Sequence, residues 1–488
     1  MDNKVVTRFA PSPTGQFHLG GVRSALYNYL FARKNKGIYI LRSEDTDKER
    51  SKKEYEDDFL KLFEWLELKP DKFFRQSERT EIYKKYLEKM IADGFAYISQ
   101  EEVKEAGQRS EVIRFKNPNK KITFNDIILG DITFNTADLK DFVIAKSLTE
   151  PLYNLTAVID DYEMGITHVI RGQEHIANTP RQILIQEAIG VLRPFYAHLP
   201  LILSKDRAKL SKRDPEVIPA LEYKNLGYLP AAIINFMALI GWNPGGEQEV
   251  FSLTELIEKF DINKIQKSGG VFNSEKLDWL NKEHMKKLSD EEFVKKAKQF
   301  IDPQIIEAKK LKDIELFHYI LLYRDRISKF GELNDLMRDF VIAPDLESVT
   351  VLNDYLIPDK DPSIYNSDML FPKELKNDRE AVQKYLKESK KIIEVGNWKN
   401  FFKKDENNEL WIYAGKEGRG KVLLPVRVAL SGRDKSVDIF EIMKAIGYEA
   451  TLRRIENALR RLHIKDKELK TEARNEAPTA SNTFTFGS

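Results

Sequence analysis

Residues 5–41 read VVTRFAPSPTGQFHLGGVRSALYNYLFARKNKGIYIL, and this stretch decides the fold class. Val5 to Phe9 is a β-prone run, and a loop rich in proline and glycine follows it. Apolar residues then recur at positions 22, 25, 26, 29 and 30, which is the spacing of one helix face. A second β-prone run follows Gly37. Because a single crossover helix joins two parallel strands, the stretch predicts an α/β domain.

The whole chain has 488 residues, with 79 Lys and Arg against 77 Asp and Glu, a net charge of +2. This length predicts several domains, and 42% hydrophobic residues are too many for an intrinsically disordered protein. The balanced charge excludes a uniformly basic or acidic chain but leaves nucleic-acid binding open, because opposite charges can lie on different faces. Cysteine is absent, which excludes disulfides, thiolate catalysis and every cysteine-ligated zinc or iron–sulfur site.

The sequence gives no sign of membrane association. No apolar run approaches the ~18 residues of a transmembrane helix. Met1 to Lys4 lead directly into the first β-prone run, without a basic and then apolar leader. We therefore expect a cytoplasmic protein.

Changes of pattern along the chain predict its organisation. Residues 49–95 have helical periodicity, whereas short β-prone runs such as 127–129 predict a small sheet inserted in the α/β domain. The α/β pattern returns with runs at 158–159 and 169–170. The predicted segments are 1–98 (first half of the α/β domain), 99–155 (insertion), 156–215 (second half), 216–310 (helical region), 311–476 (all-helical domain) and 477–488 (disordered tail).

Two segments together predict a phosphate site. The loop at 8–21 joins a strand to a helix N-terminus, where glycines allow close backbone approach and the helix favours an anion. His18 could donate a hydrogen bond to a phosphoryl oxygen. The basic segment KLSKR at 209–213 follows a later strand and could close on the same phosphates. Alone, the first segment could be a plain tight turn and the second a solvated surface.

These motifs resemble the two signatures of class I aminoacyl-tRNA synthetases, APSPTG with HLGG and then KLSKR. Longer stretches resemble bacterial-type glutamyl-tRNA synthetases: RFAPSPTG (8–15), LYNYLFAR (26–33), LRSEDTD (41–47), DDYEMGITHVIRGQEH (160–175), NTPRQ (178–182) and LPVRVALSG (424–432). The resemblance covers roughly residues 4–470. It implies a class I Rossmann-type catalytic domain with a small α+β insertion on the acceptor-stem side. A helical stem-contact region and an all-α C-terminal anticodon-binding region would follow.

The resemblance implies ATP-dependent ligation of L-glutamate to tRNA(Glu) through glutamyl-adenylate. A glutamate pocket needs fixed cations, and arginine suits a planar carboxylate. Arg8 and Arg171 each end a predicted strand at one sheet edge, although a salt bridge with an aspartate such as Asp161 is the plainer alternative. By resemblance, the glutamate-binding residues are Arg8, Ala10, Ser12, Glu44, Tyr153 and Arg171, and Glu44 receives the α-ammonium group.

The resemblance also implies the nucleotide site. His18 and Lys212 would be catalytic, with Lys212 at the pyrophosphate end. The implied ATP-binding residues are His18, Gly20, Gly21, Glu174, Lys209, Ser211 and Lys212. Gly21 stands where many class I enzymes have a second histidine, as is common in glutamate-specific relatives. We expect Mg²⁺ to be carried mainly by ATP, with no metal cage built from protein ligands. Many relatives hold zinc between positions 97 and 113, but without cysteine we expect none here.

Basic residues concentrate towards the C-terminus and suggest where RNA binds. Residues 419–433 carry four basic and no acidic side chains, and residues 451–475 carry eight basic against four acidic. A basic helix face is usually a solvated surface, but a tRNA-binding protein must contact phosphates. The tRNA-binding candidates are Arg427, Arg433, Arg453 and Arg454.

Other members of the superfamily fit less well. Glutaminyl-tRNA synthetases end in β-barrels, whereas the pattern of this chain beyond about residue 310 predicts helices. The truncated relative that glutamylates a tRNA base ends near the catalytic domain and is much shorter. An RNA-binding paralogue without catalytic activity is the remaining alternative. Such a paralogue would be expected to have lost His18, Lys212 or Arg8, and all three are present. The sequence leaves open whether tRNA(Gln) is also charged. By resemblance we expect a monomer.

Overall fold

The structure, a computed structural model, describes residues 4–102, 110–210, 218–303, 306, 313–342, 378–431 and 438–475. Contacts within the chain define two compact units, Met1–Lys287 and Leu288–Ser488. The predicted region 216–310 crosses this division, and the domain boundaries from the sequence stay predictions. The predicted disordered tail, 477–488, lies outside the described residues.

The first unit alternates strands and helices along most of its length. Its strands are β1 (Val6–Phe9), β2 (Ile38–Ser43), β3 (Lys72–Arg75), β4 (Ala96–Gln100), β5 (Glu111–Phe115), β6 (Lys121–Asp126), β7 (Gly130–Asn135), β8 (Phe142–Ser147), β9 (Glu150–Pro151), β10 (His168–Gly172), β11 (Phe195–Leu199), β12 (Ile202–Leu203) and β13 (Gly270–Val271). Its helices are α1 (Leu19–Lys34), α2 (Lys53–Trp65), α3 (Thr80–Ala92), α4 (Tyr153–Glu163), α5 (Thr179–Ala188), α6 (Glu222–Asn225), α7 (Pro230–Leu239), α8 (Leu253–Lys259) and α9 (Ser274–Lys286). The predicted α/β class is confirmed.

The central sheet has seven strands in the order β3-β2-β1-β10-β11-β6-β7. All neighbours are parallel except the antiparallel edge pair β6–β7. From β1 the chain builds the sheet outwards through β2 and β3, and from β10 it builds the other way. The gap between β1 and β10 is therefore a topological switch point, and in such sheets ligands bind at the carboxyl ends of the strands there.

Helices cover both faces of this sheet. Leu41 of β2 packs in one cluster with Val22 of α1 and Phe63 of α2. The preceding residue, Ile40, packs in a second cluster that includes Leu87 of α3. Successive strand residues point to opposite faces, so a strand covered on both sides must be apolar throughout. This explains the unbroken apolar run that the sequence shows in β2.

The return from α1 to β2 requires a glycine. A Cβ on Gly37 would lie 2.2 Å from the backbone oxygen of Val5, where any side chain would collide with the first strand. The same oxygen accepts a hydrogen bond of 2.8 Å from the backbone nitrogen of Ile38, which starts the β1–β2 pairing. A short crossover thus reaches the sheet only because position 37 lacks a side chain.

The inserted segment differs from the single small sheet that the sequence predicts. Strands β4, β5, β8 and β9 form a separate antiparallel sheet, whereas the β6–β7 hairpin extends the central sheet through the pair Tyr196–Asp126. The run 127–129 forms the hairpin turn, and the run 158–159 lies inside α4. Both runs are apolar because they are largely buried, and a short apolar run does not distinguish a strand from a buried helix or turn.

In the second unit, every regular element among the described residues is a helix. Its helices are α10 (Asp290–Ala297), α11 (Asp313–Leu322), α12 (Leu333–Ile342), α13 (Arg379–Val395), α14 (Glu409–Glu417), α15 (Arg419–Ser431), α16 (Ile439–Ile446) and α17 (Tyr448–Asn475). Helix α13 packs against α15 and α17, and Leu386, Val426 and Ile455 are fully buried. Within the described ranges, every helix is too short or too polar to cross a membrane.

Candidate active site

A cavity of about 990 Å³ opens at the switch point between β1 and β10. Its volume lies at the upper end of the range of about 300–1,000 Å³ of small-molecule sites, which accommodates a nucleotide together with an amino acid. The cavity brings together ten of the residues predicted from the sequence: Arg8, Ala10, Ser12, His18, Gly20, Gly21, Glu44, Tyr153, Arg171 and Glu174.

The loop after β1 is tied to the neighbouring strand. The backbone oxygen of Pro11 accepts a hydrogen bond of 2.9 Å from the backbone nitrogen of Glu44, and that of Pro13 accepts one of 2.9 Å from Lys52. These bonds hold the loop open beside the end of β2. Ser12 and Glu44 therefore face the same cavity although they come from different crossovers.

The loop ends at the first turn of α1. His18 precedes the helix with an extended backbone, and its oxygen accepts a bond of 3.0 Å from the nitrogen of Gly21. A Cβ on Gly21 would lie 2.4 Å from the ring of Phe17, so a second histidine there would have to displace that ring. Helix α1 thus presents its N-terminus to the cavity, the end that favours an anion.

The KLSKR segment is anchored near this turn at its own start and beyond its end. Within the segment, the nitrogen of Leu210 donates to the oxygen of Ile202 at 3.1 Å, and the Cδ1 of Ile202 lies 4.0 Å from the Cβ position of Gly20. After it, the nitrogen of Ala220 donates to the oxygen of Phe17 at 2.7 Å. Of the predicted residues in this segment, Lys209 is exposed and outside the cavity lining. Ser211 and Lys212 lie outside the described residues.

One wall of the cavity is a buried ion network centred on Asp161. Arg8 donates to the two Asp161 oxygens at 3.1 and 3.3 Å, and Arg42 donates to Oδ1 at 2.8 Å. Arg42 also donates to Glu44 Oε1 at 3.1 Å. The strand-end salt bridge considered from the sequence is therefore present for Arg8, while Arg8 still lines the cavity.

A second carboxylate, Asp160, continues the network away from the cavity. It accepts hydrogen bonds from Gln76 at 2.8 Å, Arg79 at 2.7 Å and Tyr83 at 2.8 Å, and its Oδ2 lies 3.7 Å from Arg42 Nε. Buried charges persist when such partners satisfy them. The network holds the end of β2, the start of α3 and the C-terminal part of α4 in one arrangement.

Glu44 and Asp161, the two carboxyl groups that accept hydrogen bonds from Arg42, have opposite pKa shifts. Burial raises the pKa of Glu44 above its ordinary value despite the nearby Arg42 and Arg8. Burial would also raise the pKa of Asp161, but Arg8 and Arg42 outweigh it and hold that pKa below the ordinary value. Asp161 is thus the fixed counter-ion of the arginines.

Arg171, at the end of β10, has a different environment. Each guanidinium nitrogen donates to a neutral partner: Nε to His198 Nε2 at 3.2 Å, Nη1 to Gln182 Oε1 at 2.8 Å and Nη2 to Thr179 Oγ1 at 2.9 Å. Among the described residues, no carboxylate forms a salt bridge with Arg171. Its terminal nitrogens each carry a second N–H, so the charge and part of the fork remain for an anionic ligand.

Tyr153 and Glu174 complete the predicted residues of this pocket. The Tyr153 hydroxyl lies 3.3 Å from His175 Nδ1, and burial raises the pKa of that hydroxyl. Burial, with Arg171 and Arg8 nearby, lowers the pKa of His175 to about 4, so its imidazole is neutral at neutral pH. Glu174 folds back over Gly172, where a Cβ would lie 2.2 Å from its carboxylate.

Of the four predicted tRNA-binding arginines, the structure exposes one. Arg453 is exposed, Arg427 is half-buried, and Arg433 lies outside the described residues. Arg454 is only 3% exposed and donates to the oxygen of Leu430 at 2.6 Å. The expectation of an exposed basic face is wrong for Arg454, because it shares the helix face of the buried Thr451 and Ala458, three residues before and four after it.

Sequence reasoning missed residues that hold the binding groups in place. Arg42 lies inside the motif LRSEDTD, and Asp160 begins the stretch DDYEMGITHVIRGQEH, but the sequence assigns neither residue a role. Asp126 and His198 contact each other across 72 residues of sequence. No local pattern signals such a pair; only the strand order brings it together.

Comparisons with known proteins agree with this architecture. The family model of the class I tRNA synthetase catalytic domain (E and Q) matches residues 4–108 and 98–279, and the anticodon binding domain model matches residues 292–459. The glutamate–tRNA ligase of Carboxydothermus hydrogenoformans is 36% identical over 505 residues, spanning 93% of this chain and 99% of that protein. The enzyme of that name from Aquifex aeolicus is 37% identical, spanning 94% and 100%.

A solved structure shows the same likeness in three dimensions. The crystal structure of a glutamate tRNA ligase from Elizabethkingia meningosepticum, in complex with its amino acid, has a TM-score of 0.76 and 30% sequence identity. The match covers 94% of this chain and 100% of that one. With the switch-point cavity, the catalytic-domain match and the helical anticodon-binding match, the chain belongs to the glutamate–tRNA ligase family of class I tRNA synthetases.

Proposed function

We propose that this protein attaches L-glutamate to tRNA(Glu) in an ATP-dependent reaction through glutamyl-adenylate. The observation that carries the proposal is Arg171, a buried guanidinium with three neutral partners in the same cavity as the α1 N-terminus. It supplies a fixed positive charge for a carboxylate beside a site suited to phosphate. Family membership supports the same reaction, because the relatives compared are named glutamate–tRNA ligases.

The charges of the cavity favour glutamate over glutamine. The ion network balances, with three arginines against three carboxylates: Arg8, Arg42 and Arg79 against Glu44, Asp160 and Asp161. Arg171 then adds one positive charge, and among the described residues its hydrogen-bonding partners are all neutral. Free glutamate carries a net charge of −1 at neutral pH, whereas glutamine is neutral and would leave this buried cation uncompensated.

The same charges orient the amino acid. Glu44 receives the α-ammonium group, since its carboxylate lines the cavity beside Arg8 and accepts a hydrogen bond from Arg42 through Oε1. Arg171 and Tyr153 bind the side-chain carboxylate. Arg8 lies at the end of β1, and Ala10 and Ser12 lie at the start of the loop that leads to α1, so an α-carboxylate bound there would point towards the nucleotide.

ATP would bind with its phosphates at the α1 N-terminus, contacting His18, Gly20 and Gly21. Lys212, with Lys209 and Ser211, would reach the pyrophosphate end from the segment anchored beside that turn. A glutamate carboxylate oxygen attacks the α-phosphorus and the bond to pyrophosphate breaks. A terminal ribose hydroxyl of the tRNA then attacks the acyl carbon, loses its proton and releases AMP. These steps require positioning and charge stabilisation rather than a covalent enzyme intermediate.

Mg²⁺ would enter with the nucleotide. The described residues contain no group of three His, Asp or Glu side chains placed to hold a metal ion. The phosphate oxygens are the natural ligands for an ion that keeps several waters. The tRNA would contact the helical second unit, where Arg453 is exposed. We propose tRNA(Glu) as the substrate, with tRNA(Gln) as a second one to be tested, and a monomeric enzyme acting in the cytoplasm.

The decisive experiment is aminoacylation with purified tRNA(Glu) and tRNA(Gln), each with labelled glutamate and labelled glutamine. We expect glutamate on tRNA(Glu) and no glutamine on either tRNA. A label on tRNA(Gln) from glutamate would define the wider tRNA range. Binding of tRNA without any acyl transfer would contradict the proposal and favour the RNA-binding paralogue without catalytic activity.

A further inference from the structure

We propose that Asp126 and His198 are a buried positioning pair that fixes Arg171 for the side-chain carboxylate of glutamate. The inference rests on the proposed function and adds two residues that do not line the cavity. His198 Nδ1 lies 2.6 Å from Asp126 Oδ2, and His198 Nε2 lies 3.2 Å from Arg171 Nε. The three groups form one chain from the sheet interior to the pocket.

The hydrogen-bonding partners assign the imidazole tautomer. Arginine can only donate, so Nε2 of His198 must accept from Arg171 and carries no proton. Nδ1 then holds the proton and donates to Asp126, whose carboxylate can only accept. Thr179 Oγ1, 3.3 Å from Nε2, fits the same assignment because its hydroxyl can donate there.

The electrostatics keep this imidazole neutral. Burial lowers the pKa of His198, and the positive charge of Arg171 lowers it further, although Asp126 acts in the opposite direction. Burial would raise the pKa of Asp126, but the bond from His198 and backbone donors hold it below the ordinary value. In place of a carboxylate that accepts directly from Arg171, the structure has a neutral acceptor, His198, and the anion Asp126 lies one residue further away.

This arrangement fixes Arg171 without neutralising it at short range. A carboxylate in contact with the guanidinium would compete with the substrate, as Asp161 does for Arg8. A neutral acceptor holds the fork while leaving its charge for the ligand. Because His198 is fully buried and stacks with Tyr196 at an interplanar angle of 12°, the ring has little freedom to turn.

The pair also gives the inserted segment a role in the pocket. Asp126 ends β6, the inserted strand that pairs with β11, and His198 belongs to β11. Asp126 accepts from the backbone nitrogens of Ile128 and Leu129 at 3.0 and 2.9 Å, which closes the hairpin turn around the carboxylate. The insertion therefore reaches the glutamate site through the edge of the central sheet.

The first test is Asp126→Asn. The amide can keep the backbone bonds through its oxygen, but its NH₂ group would face His198 Nδ1 and force the proton to Nε2. That proton would point at the N–H of Arg171 and break the chain. We expect the KM for glutamate to rise about tenfold or more, with the KM for ATP unchanged. In an Arg171→Ala background the same substitution should add nothing further.

Two substitutions of His198 separate the two bonds. Glutamine reaches the position of Nε2 and can accept from Arg171 through its side-chain oxygen, whereas asparagine reaches only the position of Nδ1. We expect His198→Gln to keep a KM for glutamate near wild type and His198→Asn to raise it. His284→Asn is the matched control, because it removes a buried imidazole bonded to Asn235 outside the cavity lining. It should leave both KM values unchanged.

A readout independent of activity is the tautomer itself. The chain has seven histidines, and the spectrum of His198→Gln would assign the His198 signals in ¹⁵N-histidine-labelled protein. We expect a protonated Nδ1 and a bare Nε2. The opposite tautomer would overturn the proposal, as would Asp126→Asn lowering thermal stability with both KM values unchanged, or raising both equally. Failure of the wild type to charge any tRNA with glutamate would instead refute the proposed function itself.

Discussion

Asp161 accepts hydrogen bonds from Arg8 at 3.1 and 3.3 Å, so one of the two strand-end arginines is already paired inside the protein. Arg42 shares the same carboxylate at 2.8 Å. The counterpart arginine at the end of β10, Arg171, has three neutral partners instead. The two arginines at the switch point therefore have different roles. Arg8 stabilises the framework and also lines the pocket, whereas the charge of Arg171 remains available to a ligand.

Removing the shared carboxylate should destabilise the first unit. Asp161→Asn leaves Arg8 and Arg42 buried without their full counter-charge, and breaking such a pair typically costs about 3–5 kcal/mol. We expect a loss of that size in the free energy of unfolding measured with urea. Asp57→Asn is the matched control, because its partner Lys53 is an exposed i,i+4 neighbour and such a pair contributes only about 0.3–0.5 kcal/mol. Equal losses in the two variants would contradict the role assigned to Asp161.

Removing the open charge should affect substrate binding instead. Arg171→Ala should raise the KM for glutamate about 100-fold, since a buried carboxylate would lose a charge-assisted, forked partner. Arg171→Lys should recover only part of this, because an ammonium group lacks the planar fork. The exposed Arg193, paired with Glu187, provides a control in Arg193→Ala. Glutamate kinetics that stay normal while the thermal midpoint falls would show that Arg171 is purely structural.

The parts of this site that sequence predicts are those with local chemistry. Gly20 and His18 are visible because a strand, a glycine-bearing loop and a helix start follow one another within one crossover. Arg8 and Arg171 are visible because both end parallel strands, and the carboxyl ends of such strands meet at one edge. The family resemblance then assigns roles that spacing alone leaves open.

The parts that sequence does not predict depend on strand order and helix phase. Nothing in the local sequence assigns a role to Asp126. Its contact with His198 follows only from the pairing of β6 with β11 instead of with the small sheet. Arg454 belongs to a basic cluster in the sequence, yet its phase on α17 places it with Ala458 in the core. In both cases the role of the residue depends on which part of the chain packs against it. The periodicity of a single segment does not reveal that partner.

Lys212 provides the test of the KLSKR segment. Because Leu210 in this segment and Ala220 after it are both anchored beside the α1 N-terminus, Lys212→Ala should remove positive charge from the pyrophosphate end. Loss of one preorganised transition-state contact typically costs about 10²–10³ in rate. We expect a fall of that order in ATP–pyrophosphate exchange measured with tRNA present, and unchanged tRNA affinity. The control is Lys224→Ala, which changes an exposed lysine outside the cavity lining. An equal fall in exchange with this control, or no fall with Lys212→Ala, would show that the KLSKR segment is not part of the active site.

His284 predicts the direction of the pH dependence of stability. Burial, with Lys287 nearby, lowers its pKa from 6.5 to about 4, and its Nε2 lies 3.0 Å from Asn235 Oδ1. Between these values the unfolded chain binds the proton and the folded chain does not. The contribution of His284 to stability is therefore fully present above pH 6.5 and falls as the pH drops towards 4, by at most about 1.4 kcal/mol per pH unit for this one group.

The measurement is urea unfolding at a series of pH values across this window. His284→Gln should flatten the slope without abolishing it, because burial also lowers the pKa values of His168, His175 and His198. A slope identical to wild type would mean that His284 does not titrate differently in the folded and unfolded states.

Arg453 and Arg454 are adjacent in sequence but should respond oppositely to substitution. Arg453 is exposed, so Arg453→Glu should weaken tRNA binding and reduce the slope of log K against log salt by about 1 or more, as expected for a lost phosphate contact. The exposed Lys391, given the same charge reversal in Lys391→Glu, is the control for net charge. Arg454→Ala should instead lower the free energy of unfolding and leave the salt slope unchanged, because Arg454 donates to the Leu430 oxygen inside the helical unit. If Arg454→Ala lowered the slope and Arg453→Glu did not, the tRNA contact would lie on the other side of α17 from the one that its burial pattern indicates.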